Sequence, residues 1–170
     1  MKRIGKAYDF LIKGLAVCAG IVIFTAFLLI VIDVSIRILG FQPPAFTIAL
    51  VEYILLYFTM LAAPWLVRVK GHVFIDAVTQ FLPRPLKWVL AKIVYAGCIC
   101  SSLVFCVVSA QLLWEAFQSG DIDVRGVNMH LWVLYLPMPL ASLLVAVEFG
   151  RFLIGIDDMY GYRGDVGENM

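Results

Sequence analysis

Four long apolar runs, separated by short polar segments, dominate the chain. Residues 14–32 form nineteen consecutive uncharged positions. At about 1.5 Å per helical residue this run reaches about 28 Å, close to the ~30 Å hydrocarbon core of a bilayer. A second run, 45–67, carries one carboxylate, Glu52; a third, 93–114, carries none. The fourth, 131–147, is uncharged and continues through Glu148 and Arg151 to Leu153. Runs of this length predict four transmembrane helices, over about 14–39, 45–68, 86–115 and 131–153, in one domain spanning 1–155. Residues 156–170 are polar and glycine-rich and predict a flexible tail on the inner side.

The connection RVKGHVFIDAVTQFLPRP, residues 68–85, has a different pattern. Phe74, Ile75, Val78, Phe81 and Leu82 make an apolar helical stripe, Asp76, Thr79 and Gln80 fill the other side, and Pro83 and Pro85 end it. This predicts a short amphipathic helix over about 73–82, lying in the membrane interface. Arg84, Lys87 and Lys92 beyond it are placed to meet anionic headgroups, making membrane lipids an expected partner.

Composition agrees with the pattern. The 170 residues are 63% hydrophobic and 15% charged, with a mean hydropathy of +0.97. A soluble domain is nearer half apolar and a quarter charged, and so short a chain has no soluble core large enough for the excess. The net charge of +1 gives no basis for nucleic-acid binding. Eleven of the thirteen Lys and Arg residues fall in the N-terminal stretch, the second connection and the C-terminal stretch; Arg37 and Arg125 are the exceptions. The positive-inside rule therefore puts both termini in the cytoplasm and the connections near 40–46 and 115–130 outside. Trp65 and Trp88 fall at inner ends and Trp114 and Trp132 at outer ends, the headgroup level that tryptophan prefers. The fold class is thus an all-α integral membrane protein with four transmembrane helices, N-in/C-in, and one interfacial helix. The first run is too long for an ordinary signal peptide, and LAVC at 15–18 is a poor lipoprotein site because of Val17, so a retained helix is expected.

Candidate chemistry is sparse. Cys18, Cys98, Cys100 and Cys106 all lie within apolar helices, without redox or zinc spacing. His72 and His130 sit at interfaces, not facing each other within a bundle as a haem would need. No catalytic constellation, cofactor site or metal site is expected. Ionisable groups inside a membrane are costly and usually paired. Asp33 and Arg37 are four apart and Glu148 and Arg151 three apart, so each couple can pair on its own helix. Glu52 has no local cation. A hairpin through QPPAF would bring it to Arg37, giving one network of Asp33, Arg37 and Glu52. Structural pairing, pairing with a partner subunit, and contact with substrate or a coupling ion are the three readings of that network. Arg68, His72 and Asp76 share a face if the second helix continues past Gly71. Pro137 and Pro139 predict a kink in the fourth span, with freed carbonyls satisfied by neighbouring helices.

Arg68, Gly71, His72 and Asp76, followed by Pro83, match the R-x-x-G-H-h-x-x-D element that follows span two in the small membrane subunits of tripartite ATP-independent periplasmic (TRAP) transporters. Across about residues 5–155 the chain resembles that DctQ-like family, with its Asp33–Arg37 end of span one and a proline-bearing last span that closes on Arg151. The resemblance implies a non-enzymatic scaffold subunit of a sodium-driven importer of organic anions, carboxylates or sulfonates, in the bacterial or archaeal inner membrane. It implies a large membrane subunit that holds the sodium and substrate sites and moves elevator-fashion, and a periplasmic binding protein that delivers substrate. Arg68, Gly71, His72 and Asp76 would then pin a cytoplasmic corner of the scaffold. Asp121, Asp123, Arg125 and His130, in the outer connection, are the expected contact for the binding protein or else plain solvated loop. Alternatives of other classes are a membrane anchor for a redox enzyme, a disulfide-generating four-helix enzyme and a small homo-oligomeric channel. The first needs haem or quinone, the second an exposed cysteine pair, and the third acts without a second chain.

Overall fold

A computed structural model describes residues 2–69, 84–125 and 127–154. Its elements are α1 (Lys2–Ile38), α2 (Phe46–Arg68), α3 (Arg84–Ser119), β1 (Ile122–Asp123), β2 (Met129–His130), α4 (Leu131–Tyr135) and α5 (Pro137–Ile154). Among the described residues, four helical stretches are long and apolar enough to cross a membrane: Ala7–Ile38, Phe46–Arg68, Val89–Ser119 and Leu131–Ile154. The protein is an all-α, four-span membrane protein, with one two-stranded ribbon in the connection between the third and fourth spans. The interfacial helix expected over 73–82 and the tail expected over 156–170 lie outside the described residues.

The helices outlast the apolar runs. α1 begins at Lys2 and α3 continues to Ser119, because the polar flanks are built mostly from good helix formers such as Lys, Arg, Ala, Leu, Gln and Glu. Gly40, at φ 81°, closes α1. Its N–H donates to the Arg37 carbonyl and that of Phe41 to the Ile36 carbonyl. This reciprocal pair caps the last turn and needs a left-handed residue at Gly40. Gly120, at φ 66°, ends α3 in the same conformation.

Packing runs as an open row: α1 against α2, α2 against α5, α5 against α3. On α1, Ile12, Ala19 and Ala26 are buried at seven-residue intervals, a single line facing α2. The two alanines permit close backbone approach, which dispersion rewards in a bilayer that offers helices no hydrophobic drive to associate. Val67, Ala91, Tyr95, Phe149 and Phe152 form a core cluster uniting α2, α3 and α5 at their inner ends. There the Tyr95 and Phe152 rings lie 5.9 Å apart.

The fourth span breaks at its prolines, as α4 stops at Tyr135 and α5 starts at Pro137. Pro137 has no N–H to give the Val133 carbonyl. The Tyr57 hydroxyl of α2 donates to that carbonyl instead, at 2.6 Å. Further along, Cys106 Sγ of α3 donates to the Pro139 carbonyl at 3.5 Å. The carbonyl that Pro137 frees is thus satisfied by the neighbouring α2.

Candidate functional site

Charged side chains gather at the two ends of the helical row. Within the four spans, every described charged residue lies within about two turns of a span end.

The inner cluster joins three helices. Arg68, the last residue of α2, pairs with Asp9 of α1 through Nη2 and approaches Glu148 of α5 through Nη1 at 3.9 Å. Arg151 approaches the same Glu148 oxygen at 3.7 Å. Both guanidinium groups sit over the Tyr8 ring, 5.8 Å away for Arg68 and 5.4 Å for Arg151. Glu148 is only 2% exposed. A buried carboxylate is tolerated because two cations face it. Alongside, Lys92 of α3 donates to the Leu153 carbonyl, meeting the C-terminal end of α5 where the helix dipole is negative.

The outer cluster fixes the connection between α3 and α4. Ile122 pairs with His130 and Asp123 with Met129 in the antiparallel ribbon. The Tyr53 hydroxyl of α2 donates to Asp123 at 3.0 Å. Arg125 binds Asp123 at 3.1 Å and Glu52 of α2 at 3.3 Å. The Arg125 guanidinium and the Tyr53 hydroxyl hold the Asp123 carboxyl below the usual carboxylate range, and Asp123 in turn raises Arg125. Val127, Met129 and Leu131 pack beneath on Ala49, Tyr53 and Leu134. Asp121 takes part through its backbone, its carbonyl accepting from the Leu131 N–H.

The expected groupings are partly redistributed. Arg37 bonds Asp33 at 2.8 Å on its own helix, and Glu148 meets Arg151. Glu52, however, does not join Asp33 and Arg37; its ion pair is with Arg125. Arg37 is already held by a carboxylate one turn back, at little entropic cost, while the 122–130 ribbon folds onto the face of α2 that carries Glu52 and Tyr53. Arg68 turns to Asp9 and Glu148; Gly71, His72 and Asp76 lie outside the described residues. Asp9 and Tyr8 went unread in the sequence, although a lone carboxylate amid Lys2, Arg3, Lys6 and Lys13 was a signal. Among the described residues no group of three His, Cys, Asp or Glu could hold a metal. The four cysteines are all free thiols.

Such a molecule is an integral membrane component whose polar contacts tie its own helices together. Residues 26–156 match the family described as "Tripartite ATP-independent periplasmic transporters, DctQ component". The chain belongs to that family, the DctQ component of these transporters, and is a multi-pass membrane protein. It is also similar to the C4-dicarboxylate TRAP transporter small permease protein DctQ of Pseudomonas aeruginosa, 26% identical over 119 residues. That match covers 68% of this chain and 56% of the relative, so the chain spans little more than half the relative's length. No solved structure matches the chain.

Proposed function

We propose that the chain is the static scaffold of a sodium-driven TRAP importer of an organic anion, a carboxylate or sulfonate. On this reading a large membrane subunit carries the sodium and substrate sites and slides against the scaffold. A periplasmic binding protein delivers substrate, with the outer ribbon at Asp121, Asp123, Arg125 and His130 part of its landing surface. The observation that carries the reading is the placement of charge. Ion pairs tie the helices at both ends of the row, and the middles of the described spans hold no charged side chain with which to pass an ion. The exposed apolar length of α1, including Phe10, Val17, Phe24 and Val31, offers a partner subunit an extended surface. The name of the Pseudomonas relative makes a C4-dicarboxylate the first substrate to try.

The test is affinity purification of the tagged chain from its native membranes in mild detergent, with identification of what accompanies it. A stoichiometric, much larger multi-spanning protein is expected. Recovery of the chain alone, or with a soluble redox enzyme, contradicts the proposal.

A further inference from the structure

The two longest helices present different free faces. α3 packs on α5 and α4 along one side, where Ala91, Tyr95, Ser109 and Ala116 are buried. On another side Gly97, Ser101, Val104, Val108, Gln111 and Glu115 are all exposed. Their spacing alternates four and three, the a/d repeat of a helix that meets another helix. At 3.6 residues per turn they fall within an arc of about 80°. Two small residues, two β-branched ones and two polar ones thus form one open seam.

Three groups on the seam are polar and unpaired. Among the described residues, the Ser101 hydroxyl, the Gln111 amide and the Glu115 carboxylate have no hydrogen-bonding or ionic partner. Other hydroxyls in the spans are satisfied locally: Thr25 and Ser35 of α1 and Ser109 of α3 each donate to a carbonyl one turn back on their own helix. Gln111 lies one turn inside Trp114, within the uncharged run 93–114. Acyl chains offer an amide neither donor nor acceptor, so a cover of lipid leaves it unpaired. The free face of α1, with Phe10, Val17, Phe24 and Val31, is apolar and makes no such demand. Beside the inner half of the seam lies a groove of about 410 Å³, lined by Ala63 and Leu66 of α2, Gly97 and Ser101 of α3 and Val145 of α5. Gly97 and Ser101 keep that wall low, so the backbone of an incoming helix can approach closely.

A hydrogen-bonding seam beside a groove fits a helix and not lipid. We propose that it seats one transmembrane helix of a partner chain, with a hydrogen-bonding side chain level with Gln111 and a basic one level with Glu115. A second copy of this chain is a poorer occupant: two copies share one orientation across the membrane, so Glu115 would face Glu115. For the partner's identity, the large membrane subunit, the proposal rests on the scaffold reading. It adds to that reading a contact on α3 and the chemistry of the helix that makes it.

The test uses the full chain in its native membranes, in a background free of the four native cysteines. Benzophenone is attached through a single Val104→Cys or Val108→Cys on the seam. Leu103→Cys, also exposed but about a third of the way round α3, is the control. After irradiation the tagged chain is recovered and its adducts are identified by mass. Adducts with one larger multi-spanning chain are expected from both seam positions and scarcely from Leu103→Cys. Gln111→Leu is expected to lower retention of that chain through detergent washing about fivefold, the factor that one interhelical polar bond carries in a membrane. Glu115→Lys is expected to lower it too. Gln111→Leu places an apolar side chain at an exposed membrane position, so the fold is retained, as helical circular dichroism checks. Adducts with lipid alone or with a second copy at the seam positions, or undiminished retention in Gln111→Leu, overturn the proposal. If the larger chain is recovered but joins only elsewhere, the proposal falls and the scaffold reading stands; if no second chain is recovered, both fall.

Discussion

The inner and outer clusters use the same chemistry in different media. Each ties sequence-distant elements through arginine and carboxylate. At the inner end Glu148 is 2% exposed, so its charge is scarcely screened and depends on Arg68 and Arg151. At the outer end the side chains of Arg125 and Glu52 are 69% and 55% exposed, so water and salt screen the pair. The inner cluster is therefore bound to the integrity of the fold. The outer one sets where a surface ribbon sits and leaves charge available to a partner.

The largest expected effect comes from breaking the inner cluster. Arg68→Ala leaves Asp9 unpaired and Glu148 buried beside Arg151 alone. Removing one member of a buried pair costs on the order of 3 kcal/mol. Thermal unfolding in detergent, followed by near-ultraviolet circular dichroism, should show a pronounced fall in midpoint. A second variant separates charge from ordinary polar bonding. Tyr57→Phe removes the donor to the carbonyl that Pro137 leaves free, at an expected cost of about 1–2 kcal/mol. If the break at Pro137 were satisfied in some other way, the same melt would show no change.

Gly40→Ala forces a side chain into the left-handed residue that closes α1, for about 1 kcal/mol. Nothing stands within 4 Å of where its Cβ would go, so the backbone alone sets that cost. Glu52→Gln, at the exposed pair, is expected to cost no more than about 0.5 kcal/mol, and less as salt is raised. A large salt-insensitive loss would remove the contrast between the two ends. pH sharpens the contrast further. Arg125 lowers the Asp123 carboxyl, so its contribution is present above the ordinary aspartate pKa and lost as pH falls through the folded value. The ribbon should hold from pH 8 down to about 5 and loosen only below about pH 4. The fluorescence of Trp132, edge-on to Phe117 at 6.2 Å, reports on this region.

Much of the fold is legible in the sequence because a bilayer allows few solutions. An apolar run of about twenty residues must satisfy its own backbone, so it forms a helix. The pairs Asp33–Arg37 and Glu148–Arg151 are readable for a similar reason, since helical spacing alone brings them together. The kink at Pro137 is readable because proline lacks a donor, but nothing local says that Tyr57 supplies one. Contacts across helices resist such reading. Arg68 with Asp9 spans 59 positions and Arg125 with Glu52 spans 73. Which helix neighbours which is decided by small residues such as Ala19 and Ala26 and by the row they allow, and hydropathy is silent on that order. Expecting Arg37 to reach Glu52 assumed that consecutive helices share their charges, whereas the local partner Asp33 takes Arg37 first.

The central claim is that this chain is a fixed frame, and distance measurement tests it most directly. Spin labels at Ile38→Cys and Ser119→Cys, in a background free of the four native cysteines, mark the outer ends of α1 and α3. The distance between them would be measured in the purified membrane complex with and without sodium, and with and without substrate and binding protein. The account predicts one unchanged distance distribution in all conditions. A shift of about 5 Å or more, the scale of one helical turn by which moving elements slide past each other, would contradict it and make this chain part of the moving machinery.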